Sequence, residues 1–316
     1  MRSGLLLACL HLLIILVAGG AVSGAAATQC TIDTADLMFG MVDTLSELDS
    51  SASADLSIWC DEVPENVTTV TVCGNLGPGS GSAVDDVRQM SGVAGSLAFA
   101  LYADAARQVR WGHGSYLGLG DPLRLTLEVV DGAASAVVTV YGLVFGDQAV
   151  VVPGSYATTV SGTHAVFEYD EGTLASCSGN QSSQTSIEIS ADVLANCLIE
   201  AGDMDFGSVG AITGNLDAVA DLAVVCTPGT SYSIAIDGGL AAALPHERLM
   251  RSGERSVTYG LYQDPARSAP WGEQQYARAG LGSGGEQVIS VYGRVPAQSV
   301  AVGNYSDTVV VTIAYD

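Results

Sequence analysis

Alternation of apolar and polar side chains is the strongest pattern in the chain. Across residues 308–315, Val309, Val311, Ile313 and Tyr315 fall on one face and Thr308, Val310, Thr312 and Ala314 on the other. That period of two predicts a strand, and both faces are apolar enough for burial on both sides. Shorter runs rich in Val, Ile, Thr and Tyr predict further strands at 54–59, 68–72, 137–141, 221–225, 232–236 and 288–292, punctuated by Gly, Pro, Asn and Asp. Helical periodicity is sparse, so the expected class is all-β, built as β-sandwiches. Residues 172–183 are polar and read as a linker, after which Ser186-Ile187-Glu188-Ile189-Ser190 alternates cleanly and reads as the opening of a second domain.

The pattern also repeats. Leu101-Tyr102-Ala103-Asp104-Ala105-Ala106-Arg107, with Trp111-Gly112 following, returns as Leu261-Tyr262-Gln263-Asp264-Pro265-Ala266-Arg267 with Trp271-Gly272. Cys30 precedes Phe39-Gly40 as Cys197 precedes Phe206-Gly207, and Tyr141-Gly142 and Tyr156 answer Tyr292-Gly293 and Tyr305. So many anchors in one order mark two related domains in tandem, which agrees with a length of 316 residues. The expected division is a signal peptide at 1–27, a first domain at 28–171, a linker at 172–184 and a second domain at 185–316. The signal peptide is read from Arg2, the apolar run from Leu5 to Val17 and the small residues Ala25-Ala26-Ala27. No later stretch is long and apolar enough for a membrane-spanning helix.

Composition narrows the partners. The formal net charge is -23 and lysine is absent, which argues against nucleic acid. Cleavage would remove Cys9 and leave Cys30, Cys60, Cys73, Cys177, Cys197 and Cys226, a count that suits disulfides in an exported chain. Six cysteines allow many connectivities. The repeat favours Cys30 with Cys60 and Cys197 with Cys226, leaving Cys73 and Cys177 as a third candidate pair.

The competing class is an enzyme. The chain contains no Gly-x-Ser-x-Gly elbow, no His-Glu-x-x-His pair and no phosphate-cradling loop with lysine. His113, His164 and His246 are distant from one another in sequence, so neither a metal site nor a triad is expected, and no cofactor. Asp104, Arg107 and Trp111, with Asp264, Arg267 and Trp271, read as a turn with a buried aromatic anchor and polar support.

Taken together, the cysteine-to-Phe-Gly spacing, the Leu-Tyr-x-Asp-x-Ala-Arg and Trp-Gly motifs, Val291-Tyr292-Gly293-Arg294-Val295-Pro296-Ala297 and Gly303-Asn304-Tyr305-Ser306-Asp307-Thr308-Val309 resemble the spore coat protein U domain. Subunits of archaic chaperone-usher pili carry that domain. The second repeat fits it from Cys197 to Tyr315, the first more loosely. The resemblance implies two immunoglobulin-like sandwiches, the second lacking its final strand and needing a donor. It implies as partners a periplasmic pilus chaperone, an outer-membrane usher and an adjacent subunit that donates a strand, the physics being β-augmentation of an open edge. A donor segment must run on the order of ten residues at ~3.3 Å each. Only Thr28 and Gln29 would precede Cys30 after cleavage, which predicts a subunit that accepts a strand but does not donate one, at the distal tip of a fibre.

The family's tip adhesins hold an N-terminal binding domain ahead of a C-terminal pilin domain. By that analogy the longer regions of the first repeat are candidates for contact with an abiotic or host surface, in attachment and biofilm formation. From Leu101 to Tyr141 is 40 residues against 31 from Leu261 to Tyr292, and Cys60 to Leu101 is 41 against 35 from Cys226 to Leu261. The expected surface-binding residues are Tyr116, Leu117, Leu119, Leu143, Val144, Phe145, Val150 and Val151. Against this stands a structural subunit of a spore coat or cell surface, in which the longer regions are ordinary loops.

Overall fold

In the computed structural model, residues 27–316 are described apart from 175, 242, 243 and 245; the expected signal peptide therefore lies almost wholly outside the described residues. Helical structure is confined, among the described residues, to the 3-10 turns Leu117–Leu119 and Gln274–Tyr276. Among the described residues no helix is long and apolar enough to cross a membrane.

The N-terminal part contains β1 (Gln29–Thr34), β2 (Leu37–Val42), β3 (Ser50–Asp61), β4 (Thr69–Leu76), β5 (Ala83–Val84), β6 (Val87–Gly92), β7 (Gly95–Tyr102), β8 (Leu123–Glu128), β9 (Ala134–Val144), β10 (Gly154–Glu171) and β11 (Gln181–Val193). One layer runs β1-β3-β9-β7-β6 and the other β8-β4-β10-β11-β2, joined where β10 also meets β6. Both layers close on one core that includes Leu56, Phe99 and Val140 from the first and Val72, Phe167, Ile187 and Ile189 from the second.

The C-terminal part contains β12 (Cys197–Ala201), β13 (Leu216–Cys226), β14 (Ser231–Ile236), β15 (Arg248–Ser252), β16 (Arg255–Tyr262), β17 (Arg278–Leu281), β18 (Glu286–Val295) and β19 (Val311–Tyr315). Its layers are β12-β13-β18-β16-β15 and β17-β14-β19, about a core centred on Leu222, Ile234, Tyr259, Trp271 and Val291. Strand for strand this repeats the first part, with three exceptions: among the described residues β2, β5 and β11 have no counterpart strands.

The register explains the cysteines. Cys30 and Cys60 are opposed residues of β1 and β3 and are bridged, as are Cys197 and Cys226 of β12 and β13. Cys73 of β4 is bridged to Cys177 in the connection from β10 to β11.

Three expectations change. Residues 181–184 of the expected linker belong to β11, and Ser186 to Ser190, expected to open the second domain, lie in the same strand. β11 pairs antiparallel with β10 and parallel with β2, both in the first sandwich. Its alternation is real, but the core that takes Ile187 and Ile189 is the first one. Nor is the stretch 308–315 buried on both faces: Val311 and Ile313 are half-buried, Val310 is 57% exposed, and the ladder to β14 begins only at Val311.

Candidate functional site

Internal comparison locates the most distinctive site. In the first sandwich β11 lies over Leu37, Met90, Tyr156 and Val160, all of which are buried. The corresponding residues of the second are Met204, Met250, Tyr305 and Val309, and each is only partly buried. Two adjoining openings of about 790 and 500 Å³ expose them, sharing Met204, Phe206, Met250 and Tyr305 in their walls. The groove thus runs along β19 and the segment before it, where β11 would lie.

The rest of that edge keeps the shape it has in the first sandwich. Ser306 bridges Arg251 as Ala157 pairs with Ser91. The Tyr305 hydroxyl donates to the carbonyl of Ala301 at 2.8 Å, as Tyr156 does to Val152 at 2.7 Å. Gln298 holds Thr258 through its side-chain amide as Gln148 holds Ala98. Residues 204–209, matching β2 in sequence, form no ladder, because the strand that β2 pairs with has no counterpart among the described residues.

One feature belongs to this groove alone. The Tyr259 hydroxyl donates to Asp307 Oδ2 at 2.7 Å, and the amide of Leu240 donates to the other oxygen at 3.0 Å. Burial, then the hydrogen bond to the Asp307 carboxylate, push the Tyr259 hydroxyl well above the usual tyrosine range. The matching residues of the first sandwich are Phe99 and Thr158. At the far end of β19, Tyr315 donates to Asn196 Oδ1 at 3.0 Å, and Asn196 Nδ2 donates to Asp43 Oδ2 at 2.8 Å.

The eight loop residues do not form one surface. Leu119, Val144 and Val151 are buried, Val144 at the end of β9 opposite both Ser50 and Phe99. Leu143 and Phe145 are half-buried. Tyr116, Leu117 (77% exposed) and Val150 (78% exposed) reach solvent. The apolar run at 143–145 extends a strand and its exit, so its side chains alternate into the core instead of standing out from a loop.

Tyr116 and Val150 also lie in different surroundings. Tyr116 packs one of the longer regions of the first repeat against β10: its ring is edge-on to His113 and His164 at 5.2 and 5.4 Å, and its hydroxyl is 3.1 Å from His164 Nε2. A shallow cavity of about 680 Å³ beside it is walled by Pro78, Ser82, Asp85, Asp86 and His164. Folding therefore joins two histidines that are distant in sequence. Among the described residues no group of three or more His, Cys, Asp or Glu is placed to hold a metal. Val150 instead lies next to Gly284 of the second sandwich, where a Cβ on the glycine would meet its Cα at 3.2 Å.

The repeated motif is structural in both copies. Trp111 and Trp271 are buried, and their indole N–H groups donate to the carbonyls of Gly74 and Ile234. Asp104 and Asp264 accept main-chain N–H groups of the turn that follows, while Arg107 and Arg267 reach the carbonyls of Gly142 and Gly293. Sequence reasoning missed a third member. Arg88 and Arg248 are fully buried, and each donates to three main-chain carbonyls. Burial pushes the Arg88 guanidinium down to about 9, with Arg110 adding to the shift. The signal was present: Arg88 stands 23 residues before Trp111, as Arg248 does before Trp271.

Known proteins resemble this chain in sequence and in fold. The profile of the spore coat protein U domain matches residues 18–163 and 183–312. Protein U of Myxococcus xanthus is 32% identical over 129 residues, an alignment covering 36% of this chain and 72% of that protein. Among solved structures, a chain of the CsuC–CsuE chaperone–tip adhesion subunit pre-assembly complex, from archaic chaperone-usher Csu pili of Acinetobacter baumannii, aligns with a TM-score of 0.51 at 15% identity. That alignment covers 90% of this chain and 99% of the other, and the likeness is one of fold.

Proposed function

The chain belongs to the spore coat protein U domain family, and from that membership we propose that it is a tip subunit of an archaic chaperone-usher pilus. Its second domain would take up a strand from a neighbouring subunit after a periplasmic chaperone has held the same edge open during export to an outer-membrane usher. The first domain would face outward and mediate attachment to a surface. One observation carries the reading: of two homologous grooves in one chain, the first is filled by the chain's own β11 and the second is open. A sandwich with an unfilled groove leaves apolar side chains and strand-edge backbone in water, a state favourable only if another strand arrives. A first domain closed by its own strand needs no donor, which suits the last position in a fibre. We also take the domain boundary to lie at 194–196, after β11.

The family's description also favours a second reading, a structural coat or cell-surface subunit whose open edge joins it to its neighbours without adhesive contact. The test of the first reading is periplasmic production of the chain with and without a cognate chaperone, followed by the mass of the purified species. A one-to-one complex, with degradation or aggregation of the chain alone, supports it. A stable monomer without the chaperone overturns it. Retention of the purified first domain, residues 28–195, on a surface separates the adhesive subunit from the purely structural one.

A further inference from the structure

The groove's chemistry can be taken one step further, on the reading that it accepts a strand. We propose that it selects a strand antiparallel to residues 305–315 whose inward side chains run β-branched, β-branched, alanine or glycine, β-branched, and that Tyr305 is the residue that enforces the small third side chain.

The template is β11. Its inward residues are Ile187, Ile189, Ala191 and Val193, all buried, and they lie opposite Val160, Thr158, Tyr156 and Gly154. Opposed residues of an antiparallel pair place their Cβ atoms about 5 Å apart on the same face. Tyr156 and Ala191 therefore share one space, and the ring takes most of it. The ring cannot yield: its hydroxyl is tied to Val152, and it packs on Gly92 so closely that a Cβ there would lie 2.5 Å from it. A larger residue at 191 would have to displace a buried tyrosine.

The second groove repeats two elements of that constraint, with Ser252 standing where the first has Gly92. Tyr305 makes the same hydroxyl bond four residues back, and Ser306 keeps the same bridge to the neighbouring strand. The positions that accommodate the isoleucines are also preserved: Met204 stands for Leu37, Met250 for Met90 and Val309 for Val160. The exception is Asp307, where the first sandwich has Thr158. Its carboxylate is already met by the Tyr259 hydroxyl and the amide of Leu240, so an apolar residue can cover it without stranding a charge. The incoming strand would run parallel to 204–209, as β11 does to β2.

The probe is a synthetic peptide of residues 181–195 of this chain, compared with its Ala191→Phe and Ile189→Asp forms. Each is present while the full mature chain is refolded from denaturant, and hydrogen exchange of the soluble product is followed by mass spectrometry. The parent peptide is expected to slow exchange at 203–209 and 305–310, and both substituted peptides to bind roughly tenfold or more weakly, since overpacking and buried charge are each costly. A Tyr305→Ala chain should recover binding of the Ala191→Phe peptide. Equal binding of the Ala191→Phe and parent peptides, with the same protection, would overturn the size rule while leaving strand acceptance intact. Failure of the parent peptide to protect that edge would remove strand acceptance itself, and protection at 154–161 alone would assign the peptide to the first sandwich and overturn the proposal.

Discussion

The guanidinium of Arg88 donates to the main-chain carbonyl of Trp111 at 2.8 Å, and 160 residues later Arg248 makes the same bond to Trp271 at 2.8 Å. Each arginine also ties down two carbonyls at the exit of the strand whose carbonyl receives the tryptophan N–H. Cation and indole thus lock the crossing between layers from two sides. Deleting the arginine strands three buried acceptors. Arg88→Met and Arg248→Met should each cost about 3–5 kcal/mol, similar to Trp111→Ala or Trp271→Ala. Urea unfolding followed by tryptophan fluorescence checks this, with Arg88→Met lowering the transition of the first domain and Arg248→Met that of the second.

The place of β11 makes a prediction about where the chain can be cut. Residues 28–180 lack β11 and should be insoluble or molten, because Leu37, Tyr156 and Val160 lose their cover. Residues 28–195 should fold with a single cooperative transition. Ile187→Asp or Ile189→Asp should destabilise the first domain and leave the unfolding of residues 196–316 unchanged. Circular dichroism of the fragments and limited proteolysis of the variants are the measurements. A folded 28–180 would return β11 to the second domain.

These two cases show what was legible and what was not. Strand positions, the cysteine pairs and the tandem repeat could be read from alternation and spacing. The sheet that β11 joins could not, because Ile187 and Ile189 report only that one face is buried, and either neighbouring core could supply the partner. The loop residues fail differently: Val144 and Leu117 are equally apolar, and only the register of β9 against β3 and β7 sends one inward. Arg88 was passed over because a lone arginine reads as surface. The matching 23-residue interval to each tryptophan was the available clue.

Alkaline titration should single out Tyr259. Its hydroxyl is pushed upward by burial and by its bond to Asp307, whereas in the unfolded chain a tyrosine ionises near 10. Above that pH the unfolded state has lost a proton that the folded state retains, so stability is intact below about pH 10 and falls as pH rises further. The slope approaches about 1.4 kcal/mol per pH unit for one fully differential group. Urea unfolding between pH 8 and 11 should show a steeper loss in the parent than in Tyr259→Phe, which keeps the contribution of Tyr156, also pushed up by burial. The buried Arg248 stands opposite Tyr259 in the ladder and its own downward shift acts in the opposite sense, so the difference between the two proteins reports the pair.

The adhesive reading of the first domain comes down to a contrast between two aliphatic side chains. Leu117 is 77% exposed on the loop beside Tyr116, so Leu117→Ser should change stability by less than about 0.5 kcal/mol. Val144 has no exposed surface, and Val144→Ser both opens a cavity and buries a hydroxyl, at a cost of about 2–4 kcal/mol. Attachment to a hydrophobic surface should therefore fall in Tyr116→Ser/Leu117→Ser with fibre yield unchanged, while Val144→Ser should reduce the fibres themselves. Unaltered attachment by the double variant would take Tyr116 and Leu117 out of the contact and leave the cluster of His113, Tyr116 and His164 as packing of that loop on β10. Attachment lost together with yield in that variant would give the loop a role in folding, since no change confined to solvent-facing atoms should reach the core.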